Sequence, residues 1–270
     1  MAIKTLGAKA AAALDQELMS TGAFSIDQLM ELAGLSVSQA ANVFGCGVEP
    51  ADQWARQCIV FNPQEMARGS LWLADRETMV DLTSGIDTAL TDRHRVGGDG
   101  LVAARHLRHY GYQTTVFYPK RSKNDLYQRL AKQLEDLDVP FVDDFLSAMK
   151  STDHIVDAIF GFSFSGEVRD PFPAVIQGLQ ETKLPVTSVD APSSWDIENG
   201  PPKSGLGSSF MPTALVSLTA PKPLVKHFKG RHFIGGRFVS PSIAKKYDLE
   251  VPEYVGVDQI VEVGSTGQKL

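Results

Sequence analysis

Apolar side chains recur at helical spacing over two stretches near the start of the chain. Residues 8–20 form the first. In the second, residues 26–44, Leu29, Met30, Leu32, Ala33, Leu35, Val37 and Ala40 make one broad stripe, and Ser25 or Asp27 can cap its start. From about residue 100 the pattern changes to short apolar runs separated by helical ones. Leu101–His109 predicts a helix, Tyr112–Tyr118 a strand, Asp125–Leu137 a helix, and Pro140–Val142 and His154–Phe160 two strands. Pro173–Gln180 predicts a helix, Val186–Val189 and Ala214–Leu218 strands, and Phe233–Phe238 a further strand. Strands without polar alternation, spaced by helices, predict a parallel sheet covered on both faces. The whole chain reads as one domain, with a helical arm over 1–48 and a frayed tail over 264–270.

Residues 61–95 fit neither period. So long an unpatterned segment within a compact domain predicts an insert or a replaced segment, one origin being a retained intron translated in frame.

The chain has 270 residues, 43% of them hydrophobic, enough for a substantial core, and a net charge of −6, which argues against nucleic acid as a partner. No apolar run is long enough to span a bilayer, and the N-terminus lacks the apolar core of a signal peptide. Cys46 and Cys58 are too few for a disulfide framework or a closed zinc site. The expected setting is cytoplasmic, with the mitochondrion as an additional location.

Candidate chemistry lies at strand ends, where ligands of open α/β sheets bind. The stretch V-G-G-D-G-L-V, 96–102, sets glycines against a helix start. There, unpaired N–H groups favour an anion, and Asp99 is a good N-cap for a helix beginning at Leu101. In V-D-A-I-F-G-F-S-F-S-G-E, 156–167, Asp157 interrupts an apolar strand, where a buried carboxylate must be paired, protonated or bound to a cation. The following loop has the wrong spacing for a nucleophile elbow, which excludes a serine hydrolase of that type. In V-T-S-V-D-A-P-S-S-W-D, 186–196, a strand ends in Asp190. Asp157, Asp190 and the Ser193 hydroxyl would make an oxygen-only cluster suited to a hard cation. His106 and His109 read as surface residues. The basic run 222–237 reads as mostly solvated, with Lys222 a second option as a phosphate partner. A dehydrogenase is disfavoured because the full dinucleotide fingerprint is missing.

Taken together, A-L-D-Q-E-L, F-S-I-D-Q-L-M-E-L-A-G, G-G-D-G-L-V-A-A-R-H-L, F-Y-P-K-R, V-D-A-I-F-G-F-S-F-S-G-E, S-V-D-A-P-S-S-W-D and S-L-T-A-P-K resemble, in this order, the NAD(P)H-hydrate epimerase family, the YjeF N-terminal-type domain. The resemblance implies a Rossmann-like three-layer α/β/α sandwich, a mostly parallel sheet with a helical N-terminal arm. It implies an isomerase that interconverts the R and S forms of hydrated NADH or NADPH at C6 of the nicotinamide ring, with one potassium ion per subunit. Carried over by position, Gly97, Gly98 and Asp99, the loop residues Gly161, Phe162, Ser163, Phe164, Ser165, Gly166 and Glu167, and Asp190 would contact substrate. Asp157 and Ser193 would hold potassium, and Asp190 is the candidate acid/base. The expected partners are the hydrated cofactor and a second copy of the chain as a homodimer, with no nucleic acid and no membrane.

The chain departs from the family pattern G-P-G-N-N-G-G-D-G. Arg95 and Val96 stand at the asparagine positions, and valine supplies no oxygen to a cation. That replacement predicts weakened potassium binding and impaired turnover. It also motivates the alternative of a non-catalytic nucleotide-binding or protein-interaction member of the same fold.

Overall fold

A computed structural model of the protein describes residues 4–45, 57–61, 96–160 and 168–263. Apart from Phe61, the unpatterned segment 61–95 lies outside them, as do the loop 161–167 and the tail 264–270. The elements run in order α1 (Ala8–Met19), α2 (Ile26–Gly45), β1 (Gln57–Phe61), α3 (Val96–His109), β2 (Gln113–Phe117), α4 (Asp125–Glu135), β3 (Phe141–Val142) and α5 (Phe145–Met149). They continue with β4 (His154–Asp157), α6 (Phe172–Glu181), β5 (Val186–Val189), β6 (Ala214–Leu218), a 3-10 turn (Pro223–His227), β7 (Arg231–Gly235), α7 (Pro241–Lys246) and β8 (Ile260–Val263).

The eight strands form one sheet in the order β3-β2-β1-β4-β5-β6-β7-β8. All pairings are parallel except β7 with β8, which is antiparallel. Successive side chains of a strand face opposite sides, and the apolar residues divide accordingly. Cys58, Val60, Val116, Val156 and Val216 pack with α2, α3 and α4 on one face, whereas Ile59, Phe117 and Ile155 pack with α5 and α6 on the other. This is the three-layer α/β/α sandwich expected from the sequence.

Local chemistry explains most boundaries. Ser25 caps α2: its Oγ accepts from the Gln28 N–H (3.2 Å) while Gln28 Oε1 accepts from the Ser25 N–H (2.8 Å), a reciprocal capping box. The Asn124 side chain accepts from the Leu126 N–H and Ser240 Oγ from the Ile243 N–H, starting α4 and α7. α1 lacks a cap of its own, and Glu198 reaches across to accept from the Ala8 N–H (3.2 Å). The arm is further tied down where the Leu6 N–H donates to the Pro221 carbonyl (2.8 Å), with Leu14 and Leu18 buried against α7 and Ala220.

Several expectations are corrected. α3 begins at Val96 rather than Leu101, so Asp99 lies inside its first turn and is not an N-cap. Gly34 accounts for this: a Cβ there would overlap Val102 and crowd the Asp99 carbonyl, so its absence lets α2 press against the start of α3 and offset the poor helix propensity of three glycines. The strand expected over His154–Phe160 stops at Asp157, the helix expected to Leu137 stops at Glu135, and the strand expected at Phe233–Phe238 runs Arg231–Gly235. His106 is half-buried and bonded to Glu31 (2.8 Å), not a free surface residue, whereas His109 is exposed.

Candidate functional site

The strand order turns back on itself between β1 and β4, so connections leave in opposite directions there. Crevices of this kind at the carboxyl ends of strands are where open α/β sheets bind ligands. Asp157 ends β4, in register with Ser188 of the neighbouring β5, and Asp190 follows β5 directly.

Asp157 is almost wholly buried and accepts four hydrogen bonds. They come from Ser188 Oγ (2.8 Å), the Ser193 N–H (2.9 Å), Ser193 Oγ (2.5 Å) and, more weakly, the Ile159 N–H (3.4 Å). Among the described residues no lysine or arginine pairs with it. Burial pushes its carboxyl above the usual carboxylate range, and the bonds from Ser193, Ser188 and Ile159 hold it down only in part. A buried carboxylate with hydroxyl neighbours and no cationic side chain fits a hard monovalent ion, whose charge would complete the balance. The described residues contain no group of three or more His, Cys, Asp and Glu able to hold a metal, so the donor set differs from a zinc site.

Asp190 is compensated differently. Lys222 Nζ donates to Asp190 Oδ1 (2.8 Å) and to the carbonyls of Leu218 (2.7 Å) and Ala220 (3.0 Å), and both side chains are buried. The Leu218 N–H also donates to Oδ1 (2.8 Å). Asp190 itself sits in the left-handed region (φ 59°), as does Thr219 (φ 68°) at the end of the adjacent β6. That conformation is strained for a β-branched residue, and strain of this kind concentrates at functional sites. The sequence grouping of Asp190 with Asp157 and Ser193 around one cation is therefore corrected. Asp157 and Ser193 are joined, but Asp190 is neutralised by Lys222.

One cleft is lined by Asp99, Asp190, Leu218, Thr219 and Lys222, with Met30 of α2 and Asp15 of α1 closing its sides. Gly97 and Gly98 lie in the first turn of α3. At Gly98 the space a side chain would take is filled by the flexible end of Met30, a packing reason for glycine beside the ligand one. Gly161, Phe162, Ser163, Phe164, Ser165, Gly166 and Glu167 lie outside the described residues.

Sequence reasoning missed Asp15 and Thr219, and it left Lys222 among solvated charges or as a phosphate partner. Asp15 had a signal, the A-L-D-Q-E-L fragment, in which Asp15 directly follows the buried Leu14 of α1.

A mostly parallel sheet with buried carboxylates at its strand tips and a glycine-bearing helix start beside them defines a Rossmann-like α/β protein. Residues 26–224 match the family described as YjeF-related protein N-terminus, and the chain belongs to that family. It is 74% identical over 270 residues to a protein of Fusarium vanettenii and 64% identical over 270 residues to one of Neurospora crassa, both named NAD(P)H-hydrate epimerase. In both cases the match covers 100% of each chain. The solved crystal structure of the yeast protein ynu0 (YNL200c) is similar with a TM-score of 0.79 at 34% identity, over 97% of this chain and 100% of that one.

Proposed function

We propose that the protein is an NAD(P)H-hydrate epimerase, an isomerase that interconverts the R and S forms of hydrated NADH or NADPH. Full-length relatives named for that activity support the substrate class. The observation that carries the chemistry is Asp190. Both hydrogen bonds that its carboxylate accepts fall on Oδ1, so Oδ2 has no hydrogen bond among the described residues, in a side chain that lines the cleft. Such an oxygen can take and return a proton at the hydroxyl of C6. C6 becomes planar on reversible opening of the ring or loss of the hydroxyl, and bond formation from either face then yields either epimer.

The other residues bind and orient. The N–H groups of Gly97, Gly98 and Asp99 at the start of α3 would take the cofactor's phosphates, and the segment 161–167 would complete the contact. Asp157 and Ser193 would supply oxygens to one potassium ion per subunit, whose charge would balance Asp157 beside the cleft. Val96 at an asparagine position predicts a weak potassium site. The single-domain reading, a homodimer and a cytoplasmic or mitochondrial setting belong to the same proposal. Among the described residues no helix is long and apolar enough to cross a membrane.

The test is direct. Hydrated NADPH enriched in one epimer is incubated with the protein, and the epimer ratio is followed by chromatography in potassium and in a large organic cation. Equilibration faster than the uncatalysed rate, and faster with potassium than without, is expected. An unchanged ratio in both buffers would leave the non-catalytic binding alternative standing.

A further inference from the structure

We propose that Lys222 is the positioning residue of the reaction, clamping Asp190 through Oδ1 so that Oδ2 meets substrate as a proton acceptor. This rests on the epimerase reading and goes beyond it by assigning a role to a residue outside the glycine and aspartate motifs.

The ammonium group of Lys222 has three protons, and each has an acceptor: Asp190 Oδ1, the Leu218 carbonyl and the Ala220 carbonyl. None is left for a phosphate. The two carbonyls fix the nitrogen against the backbone just after β6, so the lysine is a rigid part of the wall and not a swinging cation. With Leu218 N–H on the same Oδ1, the carboxyl plane is set by two donors on one oxygen. Asp190 is linked to β6 at both ends, since its own N–H donates to the Val216 carbonyl (2.8 Å). Among the described residues, Asp99 of α3 and Asp15 of α1 share the cleft wall with it, and the Lys222 charge also acts on His232 of β7. Among the described residues, Lys222 alone brings positive charge to Oδ1.

A carboxylate held in this way starts as a base. The consequent route opens the ring. Oδ2 takes the proton from the C6 hydroxyl, the C6–N1 bond breaks to leave an aldehyde at C6, and N1 receives a proton through Asp190. Rotation about C5–C6 presents the other aldehyde face. N1 then adds to C6, its proton returns to the oxygen, and no other reactant is consumed.

The test uses Lys222→Gln and Lys222→Met in the full chain, with thermal melts, kcat and KM for epimerisation, and Lys222→Arg as the conservative variant. Both neutral variants are expected to lose at least about 100-fold in kcat while KM stays within about threefold, because the acceptor, not the binding surface, is disturbed. Lys222→Arg is expected to recover part of the loss. A folded neutral variant with wild-type kcat overturns the proposal, as does a loss confined to KM. If neither neutral variant folds while Asp190→Asn/Lys222→Met melts like the wild type, the lysine serves the fold alone and the proposal also falls. A wild-type chain without turnover overturns the epimerase reading and this inference together, an outcome distinct from active wild type with active variants.

Discussion

Two aspartates end neighbouring strands and have different partners. Asp157 is surrounded by hydroxyl and amide donors with no cationic side chain among the described residues, whereas Asp190 is paired with buried Lys222. The sequence shows both carboxylates, because an acid at the end of an apolar run stands out. It hides the lysine, which sits 32 residues from Asp190 at the head of a basic run that reads as solvated. Only the pairing of β5 with β6 brings the two together. Lys222 has a second consequence at this scale. His232 is buried with its Nε2 beside Ser217 Oγ (2.8 Å), and burial, followed by the Lys222 charge, pushes its pKa down to about 4. Above its ordinary value of 6.5 the ring is neutral in both folded and unfolded chains. As pH falls from there toward 4, the unfolded chain takes the proton first, so stability present above 6.5 is lost by about 3 kcal/mol. Urea midpoints of the wild type are expected to drop over this window more steeply than those of His232→Gln. Equal slopes would show that the ring does not titrate as the burial requires.

At the scale of elements, the contact of α2 with α3 sets the site. Gly34 lets the helices approach until Val102 and the Asp99 carbonyl occupy the space of its missing side chain. Gly34→Ala is expected to lower stability, because overpacking of about 1–3 kcal/mol outweighs the roughly 1 kcal/mol that alanine gains in a helix. It should also shift the first turn of α3, so KM for the hydrated cofactor rises. A wild-type melt with unchanged KM would contradict that. The elements that sequence patterning found are those whose burial is one-sided or complete: the stripe of α2, and β5 and β6, whose four and five residues are all buried. It missed β1, five residues beside the unpatterned segment, and β8, a short antiparallel edge strand with a charged Glu262. It also missed α5 and α7, of five and six residues, too short to display a period. The start of α3 was misplaced because glycines argue locally against a helix, and the packing of α2 overrides them.

For the whole molecule, the sheet order does what no single motif does. It places the α3 start, the Asp157–Ser193 pair and the Asp190–Lys222 pair at the carboxyl ends of adjacent parallel strands, and α1 folds back so that Leu14 and Asp15 close the cleft. Helix α1 lies outside residues 26–224 of the family match, yet the full-length relatives extend over it. The central claim is that Asp190 moves the proton that interconverts the epimers. Its most direct measurement is the epimerisation rate of hydrated NADPH by the wild type and by Asp190→Asn, each shown by thermal melt to be folded. The amide keeps a carbonyl acceptor toward Lys222 but cannot accept the hydroxyl proton, so turnover at least about 100-fold slower is expected at similar KM. Asp190→Asn turning over at the wild-type rate would contradict the account.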